Sequence, residues 1–283
     1  MNSVYSNDKV AVVTGAGGTL CSEIALHLAK NGAKVVLIGR TAEKLEKVAH
    51  KIKEFGGTCM IQPCDVTDEK AMIEVGKNVE AQFGKCDFLI NGAGGNNIQA
   101  MTTAIEFNKD DLGITDTQDV RTFFNLDINM FESVLKINTI GTVIASRVFG
   151  EQMVKKGGGS IINFASMNSY CPLTRVPAYA MSKAAIVNYT QWLSAYFAKS
   201  NIRVNAIAPG FFVNERSINY LGSPETGLTE RGKSVINHTP MARFGQASEL
   251  LGCVDWLLDD EKAAFVTGIT VPVDGGFLSR SGV

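Results

Sequence analysis

Lys9-Val10-Ala11-Val12-Val13-Thr14-Gly15-Ala16-Gly17-Gly18-Thr19-Leu20 is the stretch on which the fold turns. Its apolar half is strand-sized and runs straight into glycines. Leu20, Ile24, Ala25, Leu28 and Ala29 follow at a spacing of three to four, which predicts a helix that Gly32 ends. Lys34 to Gly39, with Val35-Val36-Leu37-Ile38 inside it, reads as the next strand. Strand, glycine-rich turn, helix and strand within about 30 residues make the opening unit of a dinucleotide-binding fold. Glycines let the backbone approach a pyrophosphate, whose charge meets N–H groups at the positive helix end. A glycine turn alone is a weak signal; its place between a buried strand and a helix gives it weight.

The end of the second strand bears on cofactor choice. An acidic side chain there accepts hydrogen bonds from the adenine ribose and excludes a 2′-phosphate. This chain has Gly39-Arg40 instead. The cation leans the expectation toward NADP over NAD; the alternative is an arginine merely solvated at a strand end.

Outward from this unit the alternation continues. Thr41 stands as a cap before Leu45, Val48 and Ile52, and Gly56-Gly57 close that helix. Met60-Ile61 leads to Asp65, a helix is expected from about Asp68 to Gln82, and Phe88-Leu89-Ile90 runs into Asn91-Gly92-Ala93-Gly94-Gly95. Residues 96 to about 127 are polar and poorly periodic, which suggests a functional loop or small lid. One long helix is expected from Ile128 to Lys155, carrying Asn138 and ending at Gly157-Gly158-Gly159. Ile161 to Phe164 reads as a buried strand ending at Ala165-Ser166. A helix to about Lys199 follows, with Ala185, Tyr189, Trp192 and Tyr196 on its apolar side. Ile202 to Ile207 is a strand closed by Pro209-Gly210, and residues 211 to about 245 are again irregular. A helix over Ser248–Leu258 and a strand over Ile269–Val273 complete the pattern. About seven strands alternating with helices imply a single-domain, doubly wound α/β fold with helices on both faces of a parallel sheet. Its ligands belong beyond the C-terminal strand ends.

Composition narrows the function. With 283 residues and a net charge of −1, the chain offers no electrostatic case for nucleic acid or an anionic membrane. Its apolar runs are too short to span a bilayer, and Met1 to Asp8 lacks the features of a signal peptide. Six scattered cysteines show no zinc-site spacing, so no metal is expected and free thiols in a reducing, cytoplasmic setting are.

Tyr179 and Lys183 lie four residues apart, so a helix places them on one face. A phenol is a poor acid near neutrality, with a reference pKa of about 10, and a neighbouring ammonium favours the phenolate. The pair alone falls on many helices by chance. With Thr14-Gly15-x-x-Gly18, Asp65-Val66, Asn91-x-Ala93-Gly94, Asn138, Ser166 and Asn205-x-x-x-Pro209-Gly210 in order around it, the chain resembles the short-chain dehydrogenase/reductase family over nearly its whole length. Ser166 precedes Tyr179 by 13 residues, the family's usual spacing.

The resemblance implies roles. Tyr179 is the acid or base, Lys183 lowers its pKa and binds the nicotinamide ribose, Ser166 bonds the reacting oxygen, and Asn138 positions a water. Thr14, Gly15, Gly17, Gly18, Thr19 and Leu20 form the expected pyrophosphate turn. Arg40, Asp65, Val66, Asn91, Ala93, Gly94, Pro209, Gly210 and Phe212 join Tyr179 and Lys183 as cofactor contacts. The chain departs from the family at Thr19 and Cys21, where glycines are common, and at Asn214, where many members have threonine.

A narrower likeness, to the D-mannonate oxidoreductase (fructuronate reductase) branch, rests on Asn91–Asn97, Ser166-Met-Asn168, Pro209–Phe212, His238–Gly245 and the Ser281–Val283 tail. A sugar acid needs a cation for its carboxylate and polar groups for its hydroxyls. Asn96, Asn97, Asn168 and Arg175 are the expected substrate contacts, with Arg216 and His238 also near the cleft, although each taken alone reads first as a loop-surface residue. Arg243 reads as structural. The expectation is hydride transfer between NAD(P) and a sugar-acid carbonyl or alcohol, D-fructuronate/D-mannonate first, in a homotetramer. The alternatives are reduction of another polyol, keto-sugar acid or 3-oxoacyl thioester, and a catalytically silent nucleotide-binding regulator.

Overall fold

The computed structural model describes residues 9–114, 120–213, 218, 221–223 and 227–280. Seven parallel strands form one sheet: β1 (Val10–Thr14), β2 (Lys34–Gly39), β3 (Thr58–Pro63), β4 (Phe88–Asn91), β5 (Gly159–Phe164), β6 (Ile202–Pro209) and, after a two-stranded ribbon of β7 (Gly222–Ser223) and β8 (Gly227–Leu228), β9 (Thr270–Val273). Their order across the sheet is β3-β2-β1-β4-β5-β6-β9. Helices cover both faces because alternate strand residues point to opposite sides. Ala11, Val13, Val35, Leu37, Phe88 and Ile90 pack against α1 (Thr19–Lys30), α2 (Ala42–Glu54) and the helix Leu251–Leu258. Val10, Val12, Val36, Ile38 and Leu89 pack on the other face against α3 (Glu69–Phe83), α5 (Ile140–Lys156) and α6 (Pro177–Phe197). This is the single-domain, doubly wound architecture expected. The strand order reverses at β1, where Thr14 and Asn91 end side by side in register. A crevice opens beyond them.

Four expectations change. The long helix is two: α4 (Ile128–Asn138) and α5 meet at Thr139, whose backbone turns to φ −110°, ψ −64°. Asn138 Nδ2 donates to Val134 O at 2.7 Å, Thr139 Oγ1 to Leu135 O at 2.7 Å, and Thr142 Oγ1 to Asn138 O at 3.3 Å. Successive side-chain bonds onto carbonyls one turn back bend a helix. Secondly, Ala185, Trp192 and Tyr196 lie on the outside of α6, whose buried face is Ala178, Ser182, Lys183, Ile186, Thr190 and Leu193. Aromatic character suggested burial there, but the sheet selects the small and β-branched side. Thirdly, Thr41 makes no side-chain cap, and fourthly, the helix expected from Ser248 begins as a 3-10 turn over Ala247–Leu250.

Residues 96–114 and 120–127 are built as short 3-10 turns, each begun by a capping side chain: Asn97, Asn108 and Thr122. Thr102 N donates to Arg175 O at 3.1 Å, and Arg175 Nε donates back to Thr102 O at 2.9 Å. This excursion is thereby tied to the loop between β5 and α6.

Candidate active site

Phe164 at the end of β5 delivers Ala165 and Ser166 to the C-terminal edge of the sheet, and α6 brings Tyr179 and Lys183 across from them. These groups line one wall of a cleft of about 430 Å³. Lys183 Nζ donates to Phe164 O at 2.7 Å and lies 5.6 Å from the centre of the Tyr179 ring. Burial lowers the Lys183 ammonium to about 8. Burial also raises the Tyr179 phenol, which a hydrogen bond with Ser166 partly offsets. At neutral pH both groups therefore keep their protons, and the expected lowering of the Tyr179 pKa by Lys183 is outweighed by burial.

The opposite wall is the glycine turn. Gly15 has φ +67°, and a Cβ there would lie 2.8 Å from Gly92 O. Only glycine fits both demands. A Cβ on Gly17 would lie 2.8 Å from that of Lys44. Gly18 begins α1 with no side-chain cap, so the first N–H groups of the helix, from Thr19 and Leu20 onward, face the cleft. A backbone shaved of side chains beside open helix N–H groups fits a pyrophosphate. Thr14 Oγ1 accepts from Gly92 N and Ala93 N, each at 3.1 Å, and so sets the height of the Gly92–Gly95 loop. Cys21 fills the space beside that loop. A Cβ on Gly92 would overlap the Cys21 sulfur, whose thiol burial pushes up to about 12.

Other expected residues support the cleft from behind. Asn91 Nδ2 donates to Ser146 Oγ at 3.0 Å and to Asn163 Oδ1 at 2.9 Å, joining the ends of β4 and β5. Asn138 is fully buried: its Oδ1 accepts Gly95 N at 3.1 Å, and its Nδ2 donates to Gly95 O and Val134 O, each at 2.7 Å. Its amide thus fixes the loop, while its main-chain carbonyl, at the helix break, accepts the Thr142 hydroxyl. Burial would raise the Asp65 carboxyl, but bonds from the Thr67 N–H and hydroxyl, with Arg40 nearby, hold it below its usual range. Val66, Ala93, Gly94, Pro209 and Gly210 reach the cleft, while Phe212 is buried against Gly245, beside a second cavity of about 230 Å³. Arg40 stands at the rim with Lys44, one helical turn on; the sequence reading missed Lys44, although it lies four residues beyond Arg40.

The expected substrate residues divide. Asn96 is exposed and accepts the Asn97 N–H; Asn97 caps its own 3-10 turn. Asn168 is buried against Ser166. Arg175 takes φ +73°, its guanidinium held at Nε by Thr102 O. His238 is exposed, with Nδ1 2.7 Å from Ser234 O. Arg243 forms a two-pronged pair with Glu249, as its structural reading required. Asn214, Arg216 and the Ser281–Val283 tail lie outside the described residues.

Sequence reasoning also missed Arg231. It sits half-buried in the first turn of the helix Glu230–His238, and makes no hydrogen bond or ion pair among the described residues. Burial, then the cation of Arg175, lowers its pKa. Among the described residues neither of the two arginines has a carboxylate partner. No period or motif marks Arg231, because its partner is 56 residues away. Among the described residues no group of His, Cys, Asp and Glu could hold a metal, and no helix is long and apolar enough to cross a membrane.

Residues 9–219 match the short chain dehydrogenase family. An uncharacterised oxidoreductase of Bacillus subtilis is 43% identical over 97% of this chain and 96% of its own. A 2-dehydro-3-deoxy-D-gluconate 5-dehydrogenase of Dickeya dadantii is 30% identical over 99% of both. A candidate D-mannonate oxidoreductase of Haemophilus influenzae, crystallised with NAD, superposes with a TM-score of 0.91 at 43% identity, covering 98% of this chain and 97% of that one.

Proposed function

Because the chain belongs to the short chain dehydrogenase family, we propose that it is an NAD(P)-dependent oxidoreductase of sugar acids that interconverts D-fructuronate and D-mannonate. What supports the sugar-acid reading is that Arg175 and Arg231, whose charges interact, have no carboxylate partner among the described residues and so suit the carboxylate of a substrate. Two relatives are named for acids of this kind, one a D-mannonate oxidoreductase candidate and the other a deoxygluconate dehydrogenase.

The nicotinamide supplies or accepts the hydride when bound. In the reducing direction Ser166 hydrogen-bonds the substrate carbonyl oxygen, and Tyr179 gives that oxygen its proton. Lys183 stabilises the phenolate left behind. Asn138 supports this by holding Gly95, and with it the loop at the cleft floor. Arg40 and Lys44 offer two cations to a 2′-phosphate and favour NADP, whereas the Haemophilus relative carries NAD. A 3-oxoacyl thioester substrate is disfavoured, since the sequence shows no basic cluster suited to carrier phosphates. The protein works in the cytoplasm as a homotetramer in this reading. Trp192 and Tyr196, stacked at 5.2 Å on the outer side of α6, supply apolar surface for assembly.

Following NADH and NADPH absorbance separately with D-fructuronate tests the assignment. Oxidation of either that is lost in Tyr179→Phe supports it, and the faster cofactor decides the role of Arg40. Binding of cofactor without turnover of fructuronate would sink the substrate and leave the reaction class standing.

A further inference from the structure

Asn168 lies in the turn Met167–Ser169, two residues beyond Ser166, and is 5% exposed. Its Oδ1 accepts the Leu173 N–H at 2.9 Å. A backbone N–H only donates, so the atom facing Leu173 is the oxygen and the amide nitrogen is fixed on the other side. That nitrogen lies 3.5 Å from Ser166 Oγ, and the Asn168 backbone N–H donates to the same oxygen at 3.2 Å. A serine hydroxyl has two lone pairs and one hydrogen. With both lone pairs facing donors, the hydrogen must point away from Asn168. On that side, on the same wall of the cleft, is Tyr179, with which Ser166 shares a hydrogen bond.

We propose that Asn168 is a positioning residue that holds Ser166 as a hydrogen-bond donor toward the reacting oxygen, in place of touching substrate itself. The inference rests on the carbonyl/alcohol oxidoreductase reading and not on fructuronate. A hydroxyl free to rotate would spend part of its time accepting from solvent or substrate. Held by Asn168, it offers its hydrogen to whichever oxygen is gaining charge, the tyrosyl oxygen at rest or the carbonyl oxygen in reaction. The other groups bearing on Tyr179 are Lys183 on the same helix and, through Lys183, the thiol of Cys21 on α1.

The test needs neither substrate nor cofactor. Tyr179 ionisation is read as the pH-dependent tyrosinate absorbance of each protein minus that of its Tyr179→Phe counterpart. Asn168→Asp keeps an acceptor for Leu173 and removes the donor to Ser166; Asn168→Ala removes both and adds no charge. Each should move the Tyr179 pKa upward, toward that of Ser166→Ala. In the Ser166→Ala background, Asn168→Ala should move it no further. With D-fructuronate, kcat should fall about ten- to hundred-fold in Asn168→Ala, and no further in the double variant than in Ser166→Ala alone. An Asn168→Ala shift of equal size with and without Ser166, or no shift, overturns the proposal. So does a raised KM at unchanged kcat, which would make Asn168 a substrate contact. An enzyme inert toward fructuronate refutes the substrate alone, because the absorbance titration still decides the role of Asn168.

Discussion

Lys183 keeps its charge at a cost. Its ammonium is enclosed in the cleft wall, and burial brings its pKa from 10.5 to about 8. Below pH 8 folded and unfolded chains both bind that proton, and the folded state bears the full desolvation penalty. Between pH 8 and 10.5 only the unfolded chain holds it, so this group's penalty fades as pH rises. Lys183→Met removes the penalty. Its Tm relative to wild type should be highest near pH 7 and decline through that window, and thermal unfolding of both proteins at a series of pH values checks this. A constant difference would show that Lys183 does not titrate there. Arg231→Gln should raise the KM for D-fructuronate about tenfold or more, in line with a lost charge-assisted bond of about 1.5–3 kcal/mol. Turnover of a neutral polyol should be untouched. Side-by-side kinetics on the two substrates decide it, and equal losses would place Arg231 outside acid recognition. At this scale the sequence was legible where a single backbone element sets the spacing. Tyr179 and Lys183 share a helix, and Ser166 follows the end of the strand before it by two residues. Arg231 and the bonds of Asn168 were not legible, since they depend on which atoms lie opposite.

Among the elements, the glycine turn and the Gly92–Gly95 loop behave as one body, joined by Thr14 and wedged by Cys21. The departure from glycine at position 21 has a partner: the side chain there is matched by the absence of one at Gly92. Gly92→Ala should destabilise the protein by about 1–3 kcal/mol through overpacking. Cys21→Gly should restore most of it, and denaturant unfolding of the two single variants and the double gives the coupling. Additive losses would mean that the thiol moves aside. The central strands β1, β2, β4, β5 and β6 were readable because each is a short, largely buried run ended by a polar or glycine signal. The joint between α4 and α5 was not, because the apolar pattern carries through it while the bend comes from the side-chain bonds of Asn138, Thr139 and Thr142. The excursion after Asn97 was recognisable as non-periodic. Its tie through Thr102 and Arg175 was hidden, as both are polar loop residues 73 positions apart.

For the whole molecule, the outer face of α6 sets an expectation about assembly. Tyr189, Trp192 and Tyr196 stack at 6.4 and 5.2 Å, with Trp192 and Tyr196 59% and 69% exposed. Trp192→Glu should shift the light-scattering mass of the purified protein to a smaller species while the circular dichroism of the fold persists. An unchanged mass would place the interface elsewhere. The parallel order of the sheet carries a consequence of another kind. Ala206 in β6 pairs with Thr270 in β9, 64 residues further along. At a synthesis rate of about 5–20 residues per second, that edge of β6 stays bare for roughly 3–13 seconds on each ribosome. An unpaired strand edge, here with the apolar run Ala206–Pro209, is a template for joining other chains. The Ser166 turn and α6 are complete by then, so the nascent chain passes through a stage with those elements in place and its sheet open. Chaperone demand during translation should concentrate in that interval.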